Sequence, residues 1–134
     1  MIGRATLALI GAAAVLAGCG GGGDEREQVQ QTVRDFVEAA NKRDAEAFCE
    51  DLVTQEFLEQ STGATGDNAQ ESCRKQFGRL KGLRVDLIRI GETKVEGDSA
   101  RVRAVLRTQG QVQDQVLRLR KEDGDWRLTG NPGG

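Results

Sequence analysis

At Leu83 the hydrophobic pattern of this chain changes period, from helical to alternating, and does not change back. Up to that point apolar residues recur every three to four positions. Beyond it they alternate, which is the signature of half-buried strands. Three pairs of turn-forming residues, Gly97-Asp98, Gln109-Gly110 and Asp123-Gly124, divide the second part into four strands. Asp-Gly is a strong two-residue hairpin signal; the other two pairs are weaker. With each pair at the centre of a tight turn, Val102 opposes Leu117, Ala100 opposes Leu119, and Leu119 opposes Leu128. Trp126 falls on the same face. Apolar residues thus meet across both hairpins, which supports these registers. The first strand is irregular: Leu83, Val85 and Leu87 share a phase that Ile88 and Ile90 break, so a β-bulge is expected near Leu87–Gly91. One face of this meander must bury its apolar row, and the preceding helices are the available cover. The expected class is α+β: N-terminal helices packed on a curved four-stranded antiparallel meander.

The spacing predicts a long helix over Asp24–Arg43, with Val29, Val33, Phe36, Val37 and Ala40 on one face. Asp24, Glu25 and Glu27 suit its positive end, and Lys42 and Arg43 its negative end. Asp44 is placed to cap a second helix carrying Ala45, Phe48, Cys49, Leu52 and Val53 on one face. Thr54 opens a short turn through Phe57 and Leu58, and Ser61–Asn68 reads as a loop. Asn68-Ala69-Gln70-Glu71 has the form of a capping box, opening a helix with Ala69, Cys73, Phe77 and Leu80 on its apolar face and Gly82 at its end.

The first 18 residues read as an address. Arg4 gives a short positive region, Ala5–Ala17 is a 13-residue apolar run, and Ala17 and Gly18 precede Cys19. The run is shorter than the ~20 residues a membrane-spanning helix needs. Leu16-Ala17-Gly18-Cys19 resembles the bacterial lipobox, which would make Cys19 the lipid-bearing first residue of the mature chain. More than one acyl chain suffices for stable anchoring. Residues 1–18 are then a signal peptide, 19–23 the lipidated cysteine and its glycine tether, 24–131 the domain, and 132–134 a tail. An exported protein with three cysteines is awkward. Lipidation of Cys19 leaves Cys49 and Cys73 to pair in an oxidising compartment, the alternative being two free buried thiols. Two thiols without a histidine do not make a zinc site.

The 134 residues suffice for one domain. Without residues 1–18 the net charge is −3, which lacks the basic footprint of nucleic-acid binding. Histidine and tyrosine are absent, so the commonest general base near neutral pH is missing. No phosphate-binding loop, nucleophile elbow, zinc helix or dinucleotide fingerprint is present. Glu122-Asp123-Gly124-Asp125 is acidic but lacks the alternating ligand spacing of a calcium loop, and reads as a turn. No cofactor or metal is expected.

Several stretches carry a family resemblance. "VRDFVEAANKRDAEAFCEDLV" resembles the opening helix and the turn into helix two of the nuclear transport factor 2-like superfamily, which includes polyketide-cyclase-like and ketosteroid-isomerase-like folds. "KVEGDSARVRAVL" resembles its hairpin, and "KEDGDWRLTG" its last hairpin. The likeness spans roughly Arg26–Gly130 and is greatest to small lipoproteins of actinobacteria and relatives, whose two helical cysteines are bridged. It implies a cone with a pocket between sheet and helices. Isomerase-like members use a tyrosine and acidic residues there; this chain has no tyrosine, so no catalytic residue is carried over.

Two candidate sites follow. One is a pocket formed by Phe36, Phe48, Phe57, Phe77, Val102, Leu117 and Trp126, with Asp86, Asp114 or Glu56 as polar guests. The simpler reading is that these residues fill the core. The other is a basic stripe on the outward sheet face: Lys94, Arg101 and Arg118 side by side, and Arg120 opposite Arg127. Like charges directly opposed are unfavourable, so the stripe suits an anionic partner such as lipid headgroups or a wall polymer. The simpler reading is a solvated face. The expected function is a non-catalytic, lipid-anchored extracytoplasmic domain that binds a small apolar ligand or an envelope protein. The alternatives are a pocket enzyme of isomerase or hydratase type, and a structural or regulatory module, dimeric through its sheet.

Overall fold

The structure is a computed structural model and describes residues 22–80, 82 and 84–129. The expected signal peptide, Cys19 and the expected C-terminal tail lie outside the described residues. Helix α1 spans Gly22–Lys42. It begins two residues before the expected start, so Gly22 and Gly23 belong to the helix rather than the tether. First-turn amides lack intrahelical partners in any case, which makes glycine cheapest there. Val29, Val33 and Val37, four residues apart, are buried against the sheet with Ala40.

Strands β1 (Val85–Glu96), β2 (Ser99–Thr108), β3 (Gln111–Glu122) and β4 (Asp125–Leu128) form one antiparallel sheet in sequence order. The observed pairs include Val102↔Leu117, Ala100↔Leu119 and Leu119↔Leu128, as the alternation requires. Gln109-Gly110 and Asp123-Gly124 both hold positive φ at their two positions, the geometry of hairpin turns matched to strand twist. Strand β1 carries two irregularities, between Leu87 and Arg89 and between Ile90 and Thr93, where a single bulge is expected. Each bends the strand, and together they curve the sheet around the helices.

Polar contacts fix α1 on β1. Gln30 Nε2 donates to Thr93 Oγ1 (3.0 Å). Asn41 serves both backbone groups of Val85, donating to its carbonyl (2.7 Å) and accepting from its N–H (2.8 Å). The helix therefore runs opposite to β1, with its first turn by the β1–β2 hairpin. Side chains from both layers, among them Val33, Leu58, Val102, Leu119 and Trp126, form the core. Among the described residues every core residue lies between Val29 and Leu128.

After α1 the chain departs from expectation. Asp44 does accept from the Ala47 amide (3.1 Å), but the second helix is mainly a single π-helical turn, Ala47–Asp51. The helix must end by Leu52, because Val53 already pairs with the sheet. The Leu128 amide donates to the Leu52 carbonyl (2.8 Å), and Thr54 N to the Leu128 carbonyl (2.9 Å). Val53 thus forms a parallel bridge with Leu128 and covers the β4 edge. Thr54 then caps α2 (Gln55–Thr62), its Oγ1 accepting from Phe57 N (3.2 Å). The expected capping box at Asn68 is not used. Helix α3 spans Asp67–Arg79 and is entered through Gly66 at φ 58°, without a side-chain cap. Glu59 accepts from the Gly66 amide (2.9 Å) and Gln55 donates to its carbonyl (3.1 Å), so the loop is fixed before Asn68 is reached. Leu80 lies just past α3 and is half exposed, off the apolar face it was expected to extend. No described helix is long and apolar enough to cross a membrane.

Candidate functional site

The four phenylalanines come together. Phe36 on α1, Phe48 on the π-helical turn, Phe57 on α2 and Phe77 on α3 are all partly exposed, and all border one cavity of about 270 Å³. Phe48 stands between two rings, with centroids 4.9 Å from Phe36 and 4.8 Å from Phe77, both tilted. Ala40, Cys73 and Val85 complete the wall and Leu80 stands at the rim. The phenylalanines therefore line a space on one side, while Phe36, Phe48 and Phe57 pack against the core on the other.

A disulfide between Cys49 and Cys73, with Cα atoms 5.9 Å apart, joins the π-helical turn to α3. It ties together the two elements that carry Phe48 and Phe77. Each polar side chain of the wall donates a hydrogen bond within its own helix. Ser61 Oγ donates to the Phe57 carbonyl (2.8 Å), Thr62 Oγ1 to the Leu58 carbonyl (2.6 Å), and Gln76 Nε2 to Ser72 Oγ (3.3 Å). Such a wall recognises shape and apolar surface, and none of its described residues carries a carboxylate.

The other residues expected at the pocket are elsewhere. Val102 and Leu117 are core. Asp86 pairs with Arg84 (3.2 Å), Asp114 with Arg103 (3.0 Å) and Glu56 with Arg120 (3.5 Å), all away from the cavity. Trp126 is buried at the far end of the sheet, bordering a separate polar cleft with Gln28, Asp35 and Arg127. Its Nε1 donates to Glu25 Oε2 (2.9 Å), while Lys121 Nζ lies 2.8 Å from Glu25 Oε1 and 5.4 Å from the indole centroid. Residues 96 and 101 positions apart thus lock the first turn of α1 to the sheet, and no sequence signal announces the contact.

The hydrogen bond from Lys121 holds the Glu25 carboxyl below its ordinary pKa of 4.5, and the same bond raises the Lys121 amine above 10.5. A lowered acid stabilises the fold above its unfolded pKa, and that contribution is lost as pH falls through the lowered value. A raised amine contributes below its unfolded pKa, and loses this as pH rises through the raised value. The contact is intact at neutral pH. Glu25→Gln is expected to flatten the loss of stability below pH 4.5, as read by urea unfolding across the acid range. An acid limb as steep as that of the parent would refute the assignment.

The basic row is partly as expected. Lys94, Arg101 and Arg118 lie side by side across three strands on the outward face. Arg120 and Arg127 are paired by register, but each is drawn to a different acceptor. Arg120 is drawn to Glu56, and Arg127 turns round the sheet edge to donate to the Glu50 carbonyl, half buried. Arg127 is thus a structural contact and not part of an exposed stripe. Among the described residues no group of acids is arranged to hold a metal ion, and Asp123-Gly124 is the β3–β4 turn.

No family model matches the chain, and no curated protein matches it in sequence. Solved structures do match in shape. A protein assigned as a scytalone dehydratase from Novosphingobium aromaticivorans is 20% identical over 80% of both chains, with a TM-score of 0.52. One assigned as a ketosteroid isomerase from Kribbella flavida is 22% identical over 78% of this chain and 77% of its own, with a TM-score of 0.48. At these identities the likeness is one of fold: the α+β cone expected from the sequence.

Proposed function

We propose that this nuclear transport factor 2-like cone is an exported, lipid-anchored binding domain that takes a small apolar ligand between its four phenylalanines and performs no chemistry on it. The cavity carries the reading. At about 270 Å³ it lies just below the ~300–1,000 Å³ usual for small-molecule sites, so its ligand is small. Its wall is aromatic and aliphatic, and its hydroxyl protons are spent on helix carbonyls. Proton transfer needs a titratable group within hydrogen-bond reach of the ligand, and the described residues of this wall supply none. The lipobox-like Leu16–Cys19 supports the anchor. A ligand held next to a membrane, in an open apolar cleft, suits a carrier or sensor of lipid-soluble molecules.

The test uses the mature chain from residue 19 with Cys19→Ser, so that no lipid competes for the pocket. The probe N-phenyl-1-naphthylamine should bind with blue-shifted emission. Ala40→Leu, which pushes three more carbons into the cavity, should weaken binding at least tenfold, with melting confirming that the variant is folded. Equal affinity of parent and variant, or no emission change with either, would remove the pocket from the function.

A further inference from the structure

The outward face of the sheet carries both exposed arginines and exposed apolar side chains. Arg89, Arg101, Arg107 and Arg118 are exposed there and form no ion pair among the described residues. Register places them on one face: Arg101 pairs with Arg118, Arg107 with Asp86, and Arg89 with Val105. Lys94, Arg103 and Arg120 add three further cations, each offset by one acid. Between the charges stand Ile88, Val112 and Val116, which are 46%, 55% and 37% exposed. A net-acidic chain has thus gathered unpaired cations and apolar side chains on a single face.

We infer that this face lies on an anionic lipid surface. A second copy of the chain does not fit it, because two-fold packing of a face on itself would set its unpaired arginines against one another. Apolar side chains among arginines are the composition of an interfacial surface. The position of the anchor favours lipid over other polyanions, and in this the inference rests on the lipid-anchor reading. Glu25 bonds Lys121, and the Lys121 amide bonds the Asp98 carbonyl (2.8 Å). The start of α1 is therefore at the end of the sheet where Lys94, Arg101 and Arg118 lie. Two residues separate Gly22 from Cys19, a reach of about 10 Å. A domain held this close at that end needs only to tip over for the basic face to meet headgroups.

The test again uses the mature chain with Cys19→Ser, so its outcome does not depend on lipidation. Sedimentation with vesicles of phosphatidylcholine containing phosphatidylglycerol should show binding that pure phosphatidylcholine does not support. Raising the salt to about 0.5 M should release it. A basic residue near an anionic surface is worth about fivefold in partitioning, so Arg101→Gln with Arg118→Gln should weaken binding about 25-fold. The corresponding pair of lysine substitutions should retain most of it. No binding to the anionic vesicles overturns the inference. So does binding confined to a soluble polyanionic wall polymer such as teichoic acid, which would give the face to that partner instead.

Discussion

Serine at both Cys49 and Cys73 is expected to cost about 3 kcal/mol of stability, because the bridge closes a loop of 24 residues that is otherwise free in the unfolded chain. In a domain of this size each kcal/mol is worth about 4 °C or more, so melting should fall by roughly 12 °C. The loss should reach the pocket as well. The bridge is the covalent link between the π-helical turn and α3, and these carry the tilted ring pair Phe48 and Phe77. Without it the two walls are held by packing alone, and N-phenyl-1-naphthylamine should bind more weakly even well below the melting temperature. Thermal unfolding and probe titration of C49S/C73S check both statements. A melting temperature within a few degrees of the parent would mean that the bridge contributes little beyond the packing around it.

The second large effect is on location. Cys19→Ala is expected to abolish incorporation of labelled fatty acid and to take the protein out of the membrane fraction remaining after a 0.5 M salt wash. The salt wash separates two attachments. A covalent lipid resists it, whereas contact of the arginine face with headgroups does not. Labelling that persists in the alanine variant would show that the lipid is not on Cys19.

The sheet was legible because two independent signals agree. The alternation assigns each residue to a face, and the turn pairs set which residues meet; Ala100, Leu119 and Leu128 satisfy both. The same parity bears on the acids. Asp114 shares the phase of Arg118, and Asp86 is adjacent to inward Leu87, so both had to face outward and neither could enter the cavity. Trp126 has the inward phase but stands at the opposite end of the sheet from Phe77. Its place depends on distance along the strands, which periodicity does not encode. The π-helical turn was illegible for a different reason: five residues are too few for its period to be told from that of an α-helix. The Glu25–Lys121–Trp126 contact is purely tertiary. The gathering of four phenylalanines was readable only as a tendency, since each lies on a different element whose packing angle fixes whether the rings enclose space or fill it.

The short bridge between Val53 and Leu128 has a consequence for life in a crowd. Open strand edges recruit one another, and they do so most where copies are concentrated on a surface. Here the β4 edge is occupied by Leu52–Thr54, and the β1 edge is broken twice by its register shifts. Neither flank offers an uninterrupted row of amides and carbonyls to a neighbour. Edge-to-edge growth into fibres is therefore disfavoured on both flanks.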